Sequence, residues 1–301
     1  MKPDTLHGQV TRLLSGFYTV QNENGVWVCR LRGRLKKQRS EGDIVALGDR
    51  VEFTPLPDGT GVIEAVQPRT HALIRKAPGA RGEYRQVLLA NPDQVVLVFA
   101  CAQPAPRLGM LDRFLVIAEK QKIPPIIIAN KIDLVEDARQ PFQIYETLGY
   151  RTLYTSTKTG AGLEELKRQL TGKVSALAGP SGVGKSSLLN AIQPGLGLAV
   201  SEISAAMNKG RHTTVTRQMF ALDGGGYVAD TPGWKSLALW DTEPEEMDAY
   251  FPELRNLVPL CQFSDCAHKH EPGCAVRMAL KEGKIHPERY HSYLKLRAGQ
   301  E

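Results

Sequence analysis

Gly179-Pro180-Ser181-Gly182-Val183-Gly184-Lys185-Ser186-Ser187 is the stretch on which the reading of the whole chain turns. A short apolar run (Val174, Ala176, Leu177, Ala178) precedes it, and the helix-like run Leu188-Leu189-Asn190-Ala191-Ile192 follows. Strand, glycine-rich turn and helix together are the setting of a phosphate-binding loop. Glycines let successive backbone N–H groups curl around an anion, and the helix N-terminus adds positive potential. In such a loop Lys185 reaches the outer phosphates of a nucleotide and the Ser186 hydroxyl ligates Mg²⁺.

Upstream, Val95-Val-Leu-Val-Phe-Ala100 is a continuous apolar run suited to a strand buried on both faces of a parallel sheet. Helical spacing follows from Leu111 to Lys122, with Leu111, Phe114, Leu115 and Ala118 on one side and Asp112, Arg113 and Lys120 elsewhere. A second buried strand, Ile126–Ala129, runs into Asn130-Lys131-Ile132-Asp133. Strand–helix–strand alternation predicts an α/β domain, and the C-terminal ends of its strands are where ligands bind. N-K-x-D is the guanine-selecting pattern. The Asp133 carboxylate accepts from guanine N1–H and the 2-amino group, a donor pair adenine lacks. Asn130 is expected to donate toward the purine N7 edge and tie the loop down, and the stem of Lys131 to cover the base. Thr155-Ser156-Thr157-Lys158 resembles the loop whose central backbone N–H, here that of Thr157, meets guanine O6. The same residues also serve as a polar turn capping a helix over Leu163–Leu170.

Downstream, a polar stretch from Ser201 to Arg217 contains Gly210-Arg211-His212-Thr213-Thr214. One of Thr213 and Thr214 is expected to complete the Mg²⁺ shell, and the sequence leaves open which. Asp230-Thr-Pro-Gly233 matches D-x-x-G, with Asp230 holding Mg²⁺ through water and the Gly233 N–H sensing the γ-phosphate. Trp234 stands where many such enzymes carry a catalytic glutamine, so intrinsic hydrolysis is expected to be slow. His212 is the candidate for orienting water, with a bystander or RNA contact as its alternative. The guanine-selecting element here precedes the phosphate loop, the reverse of the usual order, so the domain is circularly permuted. Permutation is tolerated where the usual termini lie close together.

The flanks differ in kind. From His7 to about Val66 short β-branched and aromatic runs alternate with turn residues, predicting a five-stranded barrel of the oligonucleotide-binding type. Arg30, Arg32, Arg34, Lys36, Lys37 and Arg39 form a basic run with no acidic residue among them. Its two readings are a phosphate-backbone contact and a solvated face. Phe17, Tyr18 and Trp27 are available for stacking or for the core. Residues 69–90 read as a basic linker, mobile or dependent on a partner. Near the other end, Cys261-x₄-Cys266-x-His268-x₅-Cys274 supplies three thiolates and an imidazole, a donor set that suits a closed structural zinc site. His270 competes with His268 for the fourth position. The expected organisation is a multidomain chain: barrel 1–68, linker 69–90, permuted α/β domain 91–240 and a mostly helical zinc module 241–301.

Composition excludes little: 301 residues, 42% hydrophobic, 23% charged and a formal net charge of +6. No apolar run approaches the roughly 20 residues of a membrane span, and no signal-peptide core follows Met1, so a cytoplasmic protein without membrane contact is expected. With no coiled-coil heptads or long apolar faces, a monomer is expected.

With these motifs in place, the chain resembles the ribosome small subunit-dependent GTPase A family, bacterial circularly permuted GTPases of 30S assembly. Gly-Arg-His-Thr-Thr at 210–214 and Asp-Cys-Ala-His-Lys-His-Glu-Pro-Gly-Cys-Ala-Val at 265–276 are its most specific features. The resemblance implies GTP hydrolysis stimulated by the 30S subunit, contacts to 16S rRNA, a role in late 30S maturation, and zinc on Cys261, Cys266, His268 and Cys274. Val215 departs from the pattern, standing where many relatives carry a third threonine. The long basic N-terminal arm of some members is also absent. Two other classes stay in view: a GTP-binding switch acting on a protein partner without ribosome coupling, and an RNA-binding zinc protein whose nucleotide site is structural. A permuted ATPase fits less well, because Asp133 would face the wrong edge of adenine.

Overall fold

Alternating apolar residues over the first sixty positions fold into five strands: β1 Leu6–Leu14, β2 Phe17–Asn22, β3 Gly25–Leu31, β4 Arg50–Pro55 and β5 Thr60–Val66, with a one-turn helix α1 at Gly33–Lys36. β1 pairs antiparallel with both β2 and β4, and β3 lies parallel to β5, closing the circuit β1-β2-β3-β5-β4. Val10, Val20, Cys29, Val51, Phe53 and Ile63 fill the interior completely shielded from solvent. The computed structural model describes residues 5–36, 42–76, 84–198, 217–230 and 242–300, so Lys37 and Arg39 of the basic run lie outside it. Trp27 packs on Phe53 with ring centroids 5.1 Å apart, and Tyr18 also borders the core. Phe17 is the exposed one of the three aromatics, with the Arg30 guanidinium 4.6 Å over its ring.

The segment expected as a linker instead carries an antiparallel hairpin, β6 Ala72–Lys76 with β7 Arg85–Ala90. Leu73, Val87, Leu88, Leu89 and Ala90 are buried, short apolar runs that the flanking Arg75 and Arg85 mask in the sequence. Arg69 fastens the hairpin's entry to the barrel through a bidentate pair with the fully buried Asp49, at 2.8 Å to each oxygen. Pro78, Gly79, Arg81 and Glu83 of the expected linker lie outside the described residues.

Six further strands form the α/β sheet in the order β10-β9-β8-β11-β13-β12. They are β8 Gln94–Ala100, β9 Pro125–Asn130, β10 Arg151–Thr155, β11 Val174–Ala178, β12 Arg217–Ala221 and β13 Tyr227–Asp230. All pair parallel except β12 with β13. β8 is buried at every position, as its unbroken apolar run requires. One face of β8 (Val95, Leu97, Phe99) packs on helix α2, Leu108–Lys120, with Tyr145 of α3, Gln143–Thr147, in the same layer. The other face (Val96, Val98, Ala100) packs on α4, Leu163–Leu170, and α5, Lys185–Ile192. The edge strand β12 also pairs with β1, at Arg12 opposite Gln218 and Leu13 opposite Arg217. Barrel and α/β sheet are thereby one continuous sheet.

After residue 241 the chain is helical: a 3-10 helix at Pro244–Tyr250, then α6 Pro252–Arg255, α7 Ala275–Lys281 and α8 Pro287–Arg297. Met247, Phe251, Leu254, Val276 and Tyr293 build its core, and Val116 of α2 joins them. This docking explains a departure from the sequence reading of α2. Asp112 and Arg113, placed away from its buried side, are themselves buried, Asp112 against Arg289 of the C-terminal module. Among the described residues no helix is long and apolar enough to cross a membrane.

Candidate functional site

The phosphate-type loop runs from the end of β11 to the start of α5, which opens at Lys185. Gly179 and Gly184 hold backbone that other residues resist, with φ of +148° and +96°. A Cβ on Gly179 would lie 2.1 Å from the Val98 carbonyl oxygen, and one on Gly184 would lie 2.5 Å from Asn130 Nδ2. Lys185 Nζ donates to the loop's own carbonyls, Gly179 at 2.9 Å and Pro180 at 2.7 Å, so its charge arches back over the turn. Val183 packs into the core beneath, while Ser181 and Gly182 are exposed at the rim. Ser186 is buried on the first turn of α5, and Ser187 follows it.

Asn130 closes the site. It is buried at the C-terminal end of β9, donates from Nδ2 to the Val183 carbonyl at 2.8 Å and accepts from Thr155 Oγ1 at 3.0 Å. One amide thus joins three loops 25 and 53 residues apart in sequence. Of the two tasks expected for Asn130, tying the loops together is the one visible here. Lys131, at φ +63°, directs its ammonium to the carbonyls of Gly182, at 2.7 Å, and Gln103. Ile132 and Asp133 lie in the 3-10 turn that follows, Ile132–Leu134. Asp133 is exposed and accepts from Ser156 Oγ at 2.5 Å. Ser156 in turn accepts from the backbone N–H groups of Lys158 and Thr159, each at 3.2 Å, which fixes the loop carrying exposed Thr157 and Lys158. Three separately recognised motifs therefore meet at one end of the parallel sheet.

Asp230 ends β13, one strand across, where Leu177 of β11 pairs with it. His212, Thr213, Thr214, Val215, Gly233 and Trp234 lie outside the described residues. Sequence reasoning did not single out Gln103, which belongs to no spacing pattern, and placed Thr155 in its loop without a side-chain role.

The cysteine cluster lies some distance along the chain, in the C-terminal module. Ligand atoms of Cys261, Cys266, His268 and Cys274 all fall within 4.8 Å of one another. His268 Nδ1 lies 3.3 Å from Cys274 Sγ and 3.6 Å from Cys261 Sγ, and the two sulfurs are 3.9 Å apart. His270 is exposed and is no part of this group. Burial pushes the Cys266 thiol up to about 12, so a neutral-pH thiolate there requires a cation. Three soft sulfurs and an imidazole nitrogen in a buried cluster of this size fit a tetrahedral zinc ion.

The backbone around the cluster is firmly held. His268 stands at φ +59°, a conformation that costs a non-glycine residue about 1–3 kcal/mol and persists only when its surroundings impose it. Tyr290 Oη donates to the His268 carbonyl at 2.5 Å. The Glu271 carboxylate accepts from the N–H groups of Ala267 at 2.9 Å, Lys269 at 2.7 Å and His270 at 2.9 Å. Burial pushes the Glu271 carboxyl up, but these backbone donors outweigh it and pull it down to about 2.

Comparison with known proteins agrees with this geometry. Residues 66–240 match the RsgA GTPase family and residues 7–63 match the RsgA N-terminal domain. A protein of Moorella thermoacetica named small ribosomal subunit biogenesis GTPase RsgA is 45% identical over 291 residues, covering 96% of this chain and 95% of its own. One of the same name from Gemmatimonas aurantiaca is also 45% identical, covering 96% of each chain. The crystal structure of YjeQ from Thermotoga maritima superposes with a TM-score of 0.80 at 40% identity, over 98% of both chains. That of YloQ, described as a circularly permuted GTPase, gives 0.76 at 34% identity, over 98% of this chain and 94% of that one. Two family models and full-length likeness to these proteins agree, and the chain belongs to the RsgA GTPase family, whose chemistry is the hydrolysis of GTP.

Proposed function

We propose that this protein is a GTP-hydrolysing factor of small ribosomal subunit biogenesis. In this reading it binds the 30S subunit and 16S rRNA in late maturation and turns over faster on the subunit than alone. The observation that carries the nucleotide assignment is the Asn130 amide joining the phosphate-type loop to the guanine-type loops. The relatives' shared name supports the ribosomal assignment, and a cytoplasmic location follows from it.

In this reading Gly179 to Ser187 cradle the phosphates, with Lys185 leaving its two loop carbonyls for the β- and γ-phosphates. Asp133 meets guanine N1–H and the 2-amino group, while Ser156 holds that carboxylate in place and Thr157 faces O6. Ser186 and Asp230 hold Mg²⁺, which neutralises charge developing on the phosphates. One of Thr213 and Thr214 completes the Mg²⁺ shell, the Gly233 N–H senses the γ-phosphate, and His212 orients water. Cys261, Cys266, His268 and Cys274 hold one structural zinc ion. The barrel over residues 1–68, with Phe17 and Arg30 exposed on it, contacts RNA, and residues 91–240 and 241–301 are the GTPase and zinc units. A monomer is the working unit.

Turnover of GTP by the purified zinc-loaded protein, alone and with 30S subunits, tests this. Strong stimulation by 30S that vanishes in Lys185→Ala is expected. Tight GTP binding with no stimulation would mean that the partner is something other than the ribosome.

A further inference from the structure

His268 has two ring nitrogens, and only one of them faces the sulfurs. Nδ1 lies 3.3 Å from Cys274 Sγ, whereas Nε2 lies 3.2 Å from Asp248 Oδ2 on the opposite side of the ring. Asp248 belongs to the 3-10 helix Pro244–Tyr250, outside the Cys261–Cys274 segment altogether. Both residues are buried, His268 completely and Asp248 to within 8%. Tyr293 flanks the imidazole with its ring centroid 5.9 Å away, which limits rotation of the ring.

A carboxylate offers only acceptor lone pairs. Nε2 must therefore carry the proton, which leaves the Nδ1 lone pair aimed at the three sulfurs. Metal-ligating histidines commonly hand their second N–H to such a carboxylate, which fixes the tautomer, orients the ring and makes the ligating nitrogen more basic. We propose that Asp248 is the positioning residue of the metal cluster, holding His268 as the Nε2–H tautomer so that Nδ1 is the ligand.

This rests on the reading of the cluster as a zinc site and adds to it a residue 20 positions upstream, with a consequence for the fold. The helix carrying Asp248 begins just after residues 231–241 and Thr242, whose Oγ1 accepts from Lys120 Nζ of α2 at 2.9 Å. Metal affinity is thereby tied to the seating of Thr242 and this helix against α2.

The test is zinc affinity of the full-length protein by competition with a chromophoric chelator, for wild type, Asp248→Ala, Asp248→Asn and the exposed His270→Ala. Long-range ¹H–¹⁵N spectra of the zinc-loaded proteins give the His268 tautomer. Wild type is expected to take up one zinc with Nδ1 bound and a slowly exchanging Nε2–H. Asp248→Ala should bind zinc roughly 10- to 100-fold more weakly and lose that proton to water exchange. Asp248→Asn keeps the volume and a weaker acceptor, and should fall between them; it also serves if the alanine variant does not fold. His270→Ala should match wild type. Zinc affinity within twofold of wild type in the Asp248 variants, or zinc on Nε2, overturns the positioning role while leaving the zinc site intact. Wild type that takes up no zinc overturns the metal reading itself, and the role of Asp248 with it.

Discussion

Replacing Arg289 by methionine should loosen the C-terminal module from the GTPase sheet. Arg289 lies on α8 with 2% of its side chain exposed. It donates at 2.6 Å to Asp112 of α2, and through a fork at 2.6 and 3.1 Å to Glu253 of α6. Its guanidinium also lies 4.5 Å over the Phe251 ring. Asp112 and Glu253 have 3% and 5% of their side chains exposed, so Arg289→Met leaves two buried carboxylates without their cation. Breaking a buried pair from one side costs about 3–5 kcal/mol. At about 1.4 kcal/mol per tenfold, that raises the opening equilibrium of α8 by roughly two to nearly four decades. Native-state hydrogen exchange reads that ratio directly, as lost protection of α8 amides and of the outward face of α2. The triple variant Arg289→Met, Asp112→Asn, Glu253→Gln removes the charges and keeps an acceptor for Tyr145, whose hydroxyl lies 2.7 Å from Asp112. It should recover most of the loss, because the penalty comes from stranded charge rather than from the absent pair. A loss of protection below tenfold in the single variant, or a triple variant as loose as the single one, would refute this account.

Two further predictions concern the nucleotide site. Gly184→Ala forces a side chain into left-handed backbone, at about 1–2 kcal/mol, and drives its Cβ to 2.5 Å from Asn130 Nδ2, so the buried bond to Val183 is lost for about 1–3 kcal/mol more. Both GTP affinity, by fluorescent-analogue titration, and melting temperature should fall; affinity within twofold of wild type would mean that joining the loops through Asn130 does not organise the site. Asp133→Asn replaces the acceptor proposed to face guanine and weakens the Ser156 contact, so GTP affinity should drop roughly 10- to 100-fold, as for the loss of a charge-assisted pair at about 1.5–3 kcal/mol. Unchanged preference for GTP over ATP in competition titration would remove Asp133 from base recognition.

What could be read from the sequence follows from how local each constraint is. The phosphate loop was legible because its chemistry needs contiguous residues, and β8 because burial on both faces demands an unbroken apolar run. The barrel was legible strand by strand, although its closure through the parallel pairing of β3 with β5 is a property of register. The hairpin over β6 and β7 escaped notice because its apolar runs are short and the basic residues gathered at their inner ends, with Pro78 and Gly79 between, dominate the composition. Asp112 looked like a solvent residue until α8, 177 positions later, supplied Arg289 to meet it. Asp248 had no signal at all, since a carboxylate that orients a ligand shares no spacing rule with it.

Circular permutation shows the same division between local and global constraint. Strand order in the α/β sheet, β10-β9-β8-β11-β13-β12, depends on which edges pair and not on where the chain starts, so the three loops converge regardless of motif order. What the order does change is where the chain goes next. Among the described residues none after β13 joins the sheet: Thr242 fastens to Lys120 of α2, Met247 and Phe251 share a core with Val116, and Asp248 reaches His268. Asp230, at the end of β13, is thus the last sheet residue before a segment bound to α2 and the cysteine cluster. Because α2 packs on β8 by one face and on the C-terminal module by the other, a displacement of Thr242 and the helix after it would be resisted by both. A nucleotide-driven change that reaches Thr242 must either tilt the module as a unit or break the contacts of Lys120 and Asp248, and these two contacts tell the alternatives apart.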